Sequence, residues 1–192
     1  MRRLTITVLL SYAILCVLQL VVATPVLSTQ DLIVKRDVDN ADVLAVFTKL
    51  NTTLAGILPK IDELVETQTA TQSNVEPLIA QIVNALDTTS SELSQLEPVA
   101  ARKRQSDDEV AQLVAGIITS LTTTLNGLLA FTSTIPLLGG LLSGVDTSLN
   151  QVLRGLSILL QGVLRLVANL LTNVAQLLHN LALGLSLGTL EL

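Results

Sequence analysis

From Leu149 to Leu181 the apolar residues Leu149, Leu153, Leu156, Leu160, Val163, Val167, Leu170, Val174, Leu177 and Leu181 recur at alternating intervals of 4 and 3. This is an unbroken heptad seam, the spacing that keeps one stripe of a helix turned toward a partner. A second line, Val152, Leu159, Leu164, Leu166, Leu171 and Leu178, widens the stripe. The opposite face carries Gln151, Arg154, Gln161, Arg165, Asn169, Thr172, Gln176 and Asn180, polar but almost without charge. The pattern predicts a helix from about Asp146 to Leu183, roughly 57 Å long by the helical rise per residue, unless Gly155 or Gly162 bends it.

Shorter helical patterns precede it. Val43, Val46, Phe47, Leu50, Leu54, Ile57 and Leu58 follow helical spacing, with Asp39 placed to cap and Asp42 in the first turn. Pro59 begins or kinks a second piece bearing Ile61, Leu64 and Val65. The run TQTATQSN reads as a loop with Asn74 as the next cap, and a third helix carries Leu78, Ile79, Ile82, Val83, Leu86, Leu93 and Leu96, ending before Pro98. Ser106 and Glu109 then fit a capping box, with Asp107 and Asp108 complementing the helix dipole. The helix they open buries Val110, Val114, Ile117, Leu121, Leu125 and Leu128. Pro136 and the Gly139-Gly140 pair predict a break before the long helix. The fold class is therefore all-α: a helical bundle made of an N-terminal acidic helical module and a C-terminal leucine-rich long-helix hairpin.

Charge divides the chain where the patterning does. Between Asp37 and Ala101 ten acids face only Lys49 and Lys60, a net charge of −8, while from Val110 to Leu190 the charged residues are Asp146, Arg154 and Arg165 alone. Nine of the ten glycines lie beyond residue 104. The junction is Arg102-Lys103-Arg104, and Lys35-Arg36 makes a similar basic site further upstream. Such pairs in a secreted chain suit furin- and kexin-type proteases; a solvated basic linker is the other reading of the midpoint cluster, and the sequence leaves both open. TKLNTTLAGIL at 48–58 and TSLTTTLNGLL at 119–129 agree at seven of eleven positions, as a duplication or as chance likeness between Leu/Thr-rich helices.

The N-terminus sets the compartment. Arg2 and Arg3 precede an apolar run from Leu4 to Val22, the layout of a secretory signal peptide cut after Ala23; an uncleaved signal anchor is the alternative. The expected organisation is a signal peptide at 1–23, a short leader at 24–36, an acidic helical module at 37–98, a basic linker or processing site at 99–106 and a hydrophobic helical module at 107–192. The only cysteine, Cys16, falls in the signal, so the mature chain is expected to hold neither disulfide nor thiol ligand. Asn51-Thr52-Thr53 is a candidate N-glycosylation sequon.

Composition narrows the chemistry. A net charge of −5 does not suit phosphate backbones, which excludes nucleic acid as a partner. Tyr12, Phe47 and Phe131 are the only aromatic residues, too few for a stacking platform. His179 is the only histidine and lies in a Leu-rich helix; no nucleophile elbow or phosphate-binding glycine loop is present. We expect a non-enzyme, with no cofactor and no metal site. A bilayer span over 163–187 has the right length but would place Asn169, Asn173, Gln176, His179 and Asn180 in lipid, so an interfacial or bundled helix fits better.

Three phrases carry a likeness: ADVLAVFTKLNTTLAGILPKIDELV, KRQSDDEVAQLVAGIITSLTTTLNGLL and IPLLGGLLSGVDTSLNQVL. With the signal and the Lys-Arg leader they resemble the small secreted cell-wall and matrix proteins of mushroom-forming fungi, typified by the fifteen-kilodalton aerial-hyphae and attachment protein of Schizophyllum. The acidic half is more distantly similar to fungal hydrophobic-surface-binding proteins. The resemblance implies a structural protein of the wall and extracellular matrix that supports aerial hyphae and attachment to hydrophobic surfaces. Hydrophobins themselves are excluded, because they depend on a framework of eight cysteines. On this reading the seam exceeds what the 107–131 helix can cover, and its surplus serves self-association or surface coating. The alternative function is a kexin-processed precursor that releases an amphipathic, membrane-active or signalling peptide from 105–192.

Overall fold

Helix formation follows the apolar stripes, and helix ends follow local chemistry. The computed structural model describes residues 40–96, 107–160, 162–181 and 184–190. In chain order the helices are α1 (Asn40–Ala55), α2 (Leu58–Glu66), α3 (Gln72–Ser94), α4 (Asp107–Gly127), α5 (Leu138–Leu159), α6 (Val163–Leu171), α7 (Ala175–Asn180) and α8 (Gly184–Leu190). A short 3-10 turn, Leu128–Phe131, follows α4. No strand occurs among the described residues. The protein is an all-α helical bundle.

The first half follows its pattern in the main, though the expected cap Asp39 lies outside the described residues and Leu96 falls beyond the end of α3. Pro59 sits in the first turn of α2, where its missing N–H leaves nothing unpaired. Helix α3, however, begins two residues before Asn74, at Gln72, with Thr71 as its N-cap. Asn74 serves from the third helical position instead: its Oδ1 accepts the Thr71 backbone N–H at 2.8 Å, and its Nδ2 donates to the Thr69 carbonyl at 2.8 Å. Because the helix starts early, Val75 enters the core, and Pro77 is carried inside the helix on its exposed side.

The second half departs further. The Gly139-Gly140 pair does not break the chain; it lies in the first turn of α5, which begins at Leu138 and runs to Leu159. Burial of Ile135, Leu138, Leu142 and Val145 outweighs the weak helix preference of two exposed glycines. The continuous helix expected from Asp146 to Leu183 is absent. Helix α5 stops at Leu160, which takes extended φ/ψ angles of −127° and 97°, and Gly162 follows at φ 89°. The left-handed region is open to glycine at little cost, so of the two bend candidates Gly162 turns the chain and Gly155 stays helical. Further interruptions follow α6 and α7.

The hairpin expected between the 107–131 helix and the seam helix is also replaced. Helix α5 packs chiefly on α3, from the other half of the chain, while α4 packs on α1, α2 and, beyond the Gly162 turn, α6. Helices α1 and α3 are neighbours, and α8 lies along α5 and touches α6 and α7. The order around the bundle is therefore α4, α1, α3, α5, with α6 to α8 closing the ring back to α4. One apolar cluster runs from Val43 through Leu190 and draws on both halves, and residues 38–192 form one compact unit. The halves differ in charge and share a core.

The two related segments occupy comparable places. Leu50 and Leu54 in α1, like Leu121 and Leu125 in α4, are buried. Thr52 donates to the Thr48 carbonyl as Thr123 does to that of Thr119. Each segment ends its helix at or beside a glycine, Gly56 or Gly127.

Two glycines test this account separately. A Cβ at either Gly162 or Gly116 would meet open space, so neither substitution creates a clash. Gly162→Ala should destabilise the fold by about 1–2 kcal/mol through the left-handed backbone alone. Gly116→Ala, in an exposed position within α4, should stabilise it by about 0.5–1 kcal/mol. Equilibrium urea unfolding measures both, and opposite signs are expected.

Candidate functional site

The seam residues define the first candidate surface, and most are turned inward. Leu149, Leu153, Leu156, Leu160, Val163 and Val167 are buried, as is Leu181. Past Val167 the inward stripe shifts by one position: Leu171 and Leu178 are fully buried, Val174 and Leu177 are half-buried, and Leu170 is 49% exposed. The seam is thus used up inside the bundle, and the expected surplus face is not present at the surface. Among the described residues only Leu137, Ile158 and Leu170 are large exposed hydrophobics. Leu137 and Ile158 stand at opposite ends of α5, roughly 30 Å apart by the helical rise, so they do not form one patch.

The contact between the halves has its own chemistry. A Cβ built on Gly155 of α5 would lie 3.5 Å from the Leu93 Cβ of α3, and one on Gly144 would lie 3.8 Å from Val83 Cγ2. On the neighbouring face a Cβ at Gly127, at the end of α4, would lie 3.3 Å from Val65 Cγ1 of α2. Three glycines of the second half thus stand against branched aliphatic side chains of the first. This gives the glycine excess beyond residue 104 a packing role: small residues let helices approach closely enough for aliphatic side chains to interlock.

Polar contacts lie elsewhere. Buried Asp146 in α5 accepts the backbone N–H of Ser186 on Oδ1 at 3.0 Å, and the Ser186 hydroxyl donates to the Asp146 carbonyl at 3.4 Å. One turn along α5, Asn150 Oδ1 accepts the Thr189 hydroxyl at 2.7 Å. Together they fasten α8 to α5, with the Asp146 carboxylate satisfying a donor in the first turn of α8, which that helix cannot pair internally. The sequence held a signal for this pair that its apolar periodicity hid. Asp146 is the only acid between Val110 and Leu190, and a lone acid on an apolar face calls for a buried donor.

In the first half, Lys49 of α1 and Glu92 of α3 form an ion pair at the rim of a cleft of about 250 Å³. Leu50, Ile57 and Ala85 line the cleft together with Gln81, Asn84 and Thr88. The Thr53 and Thr88 hydroxyls donate to their own helix, at 2.9 Å to Lys49 O and 2.7 Å to Asn84 O. Asn51, the sequon residue, is exposed on α1. His179 is exposed on α7. Among the described residues no three His, Cys, Asp or Glu side chains come together as a metal-ligand group.

The candidate processing residues Lys35, Arg36, Arg102, Lys103 and Arg104 lie outside the described residues, as do the signal and the capping residue Ser106. The stretch considered as a bilayer span, 163–187, is divided among α6, α7 and the start of α8. Its longest piece is the nine residues of α6, less than half of what a membrane crossing needs. Two other stretches, Ala41–Glu66 and Asp107–Phe131, are long and apolar enough to cross a membrane by length and composition. Their apolar stripes, including Phe47, Leu54, Leu121 and Leu125, are core residues of the bundle. No protein-family model matches the chain, and no curated protein is significantly similar to it.

The fastening of α8 is open to a direct test. Asp146→Ala removes the acceptor and leaves the buried Ser186 N–H without it, which should cost about 1–3 kcal/mol. Thr189→Ala should cost less, about 0.5–1.5 kcal/mol. Hydrogen exchange should show the loss concentrated in α8 for both variants, with α1 to α3 unchanged.

Proposed function

We propose that this chain is a secreted structural protein of the fungal cell wall and extracellular matrix that attaches to hydrophobic surfaces and self-associates there. The observation that carries the reading is the distribution of apolar residues: the core is almost wholly aliphatic, held on amphipathic helices whose outer faces are polar. Such helices can transfer their inner faces from one another to an apolar phase, because the hydrophobic effect is non-directional and does not require a particular partner. The signal-like N-terminus, the sequon at Asn51 and the likeness to small secreted wall and matrix proteins of mushroom-forming fungi support the location. The role implied by that likeness, support of aerial hyphae and attachment, needs bulk coating rather than catalysis.

The shared core favours an intact chain over a released peptide. A fragment beginning at Gln105 would lose α3 from α5 and α1 and α2 from α4, uncovering α5 at Gly144 and Gly155 and α4 at Gly127, where Val83, Leu93 and Val65 now stand. Each buried Leu or Val contributes on the order of 1.5–3 kcal/mol, so separation in water is costly. Intact-mass measurement of secreted material should therefore give one chain, residues 37–192, plus any glycan at Asn51. Two separately migrating fragments would support the precursor reading instead.

The surface role predicts that purified mature protein adsorbs to Teflon from dilute solution and lowers the surface tension of water. Contact-angle and surface-pressure measurements check it. A protein that stays monomeric and leaves the surface tension of buffer unchanged would falsify the reading.

A further inference from the structure

Turned at roughly 100° per residue, as in one straight helix, residues 149–181 sort into two faces. Sixteen of their seventeen Leu, Val and Ile residues fall within an arc of about 160°, and Ile158 alone lies outside it. The phase runs on through both interruptions, although the bundle does not require it there. Helix α5 packs on α3 and α6 packs on α4, with extended Leu160 and left-handed Gly162 between them, so each helix has its own inward direction. Nor does the bundle cover the whole arc: Leu164, Leu166, Val174 and Leu177 are half-buried and Leu170 is exposed. The interruptions are also weakly enforced. The N-caps of α6 and α7 are Gly162 and Val174, which offer no side-chain cap hydrogen bond, and Thr172 after α6 keeps helical angles of −51° and −38°.

We infer that at an apolar surface α5, α6 and α7 join into one helix that lies on the surface along this arc. The surface then takes the places of α3 and α4 against these helices. The bent form suits water, because the Gly162 turn brings α6 to α4. It leaves helix ends at the turn whose backbone groups water can satisfy and an apolar phase cannot; joining α5 to α6 pairs them within the helix. The breadth of the arc selects the partner. A second helix covers a narrow seam, whereas a flat apolar phase covers a broad face along its whole length, here about 48 Å from Leu149 to Leu181. Among Asp, Glu, Lys and Arg, the other face holds only Arg154 and Arg165, too little charge to make anionic headgroups the main attraction. The partner is therefore an uncharged apolar surface. The inference rests on the surface-coating reading and adds to it which residues meet the surface and in what conformation.

Joining changes one distance greatly. In the bundle the chain doubles back, since the Ser186 N–H donates to Asp146 and the Thr189 hydroxyl to Asn150. One helix from Asp146 to Leu181 sets its ends about 52 Å apart, so α8 has to leave α5. Asn150 then falls outside the apolar arc and Asp146 at its edge, where water satisfies them.

Spin labels test it. Thr147 and Asn180 are exposed, so Thr147→Cys with Asn180→Cys, in the chain carrying Cys16→Ser, leaves the core untouched. In the bundle Thr147 adjoins Asp146 and Asn180 precedes Ser186 by six residues, which holds the labelled positions within about 30 Å. In the joined helix they stand about 50 Å apart. Pulsed electron spin resonance measures the distance in buffer and on Teflon particles, and circular dichroism checks the fold in buffer. The expected result is a shift from the short distance to the long one on adsorption. A second exposed pair, Ser143→Cys with His179→Cys, should lengthen to about 54 Å and serves if the first misfolds. A short distance that persists on the particles, or a spread without the long one, would overturn the joining and leave the surface role intact. The long distance already present in buffer would overturn the bent form and the inference with it. No adsorption by labelled or unlabelled protein would overturn both the surface role and the joining.

Discussion

The fold depends on close aliphatic packing between two halves that differ in charge. A core with Phe47 as its one fully buried aromatic side chain among the described residues cannot rely on a few large anchors. It must gather many small contributions from Leu, Ile and Val, and dispersion falls away steeply when a gap opens. Helices therefore have to approach closely, and glycines at 127, 144 and 155 permit it. The pairing of α3 with α5 and of α1–α2 with α4 follows from that requirement. So does the turn at Gly162, which returns α6 to α4 rather than letting the seam run past its partner.

Much of this was legible in the chain, for reasons that particular residues show. The stripe of α4 repeats over several turns and buries every residue its spacing names, that of α1 buries all but half-buried Val46, and short α2 buries Ile61 with Leu64 and Val65 half-buried. Polar positions such as Gln151, Arg154, Arg165 and Asn169 face outward as the same spacing requires. What periodicity could not convey was continuity. A heptad seam reads identically whether the helix is straight or interrupted at a glycine, because a turn that preserves the inward direction also preserves the pattern. Gly162 could be named as a bend candidate, but φ 89° is a property of the backbone that only the partner helix α4 makes worthwhile. Helix pairing was illegible for a similar reason: an apolar stripe specifies that it must be covered, not by which helix.

The candidate surface was half legible. Composition announced an aliphatic protein, and charge announced two halves, yet both suggested that the second half would show spare apolar surface. Leu170 is exposed and Leu171 buried, a shift of one residue that converts a surplus face into a closed core. Asp146 stands out in the sequence as an isolated acid, but its role does not, because its partner Ser186 is forty residues away.

A bundle of this composition is held by area more than by direction. In water the aliphatic faces are buried by each other, and the links Lys49–Glu92, Asp146–Ser186 and Asn150–Thr189 add directional order. Glycines at 127, 144 and 155 let the two halves approach closely, so the joint is set by complementary shape, and a side chain added there has to be met by a shift of its aliphatic neighbour.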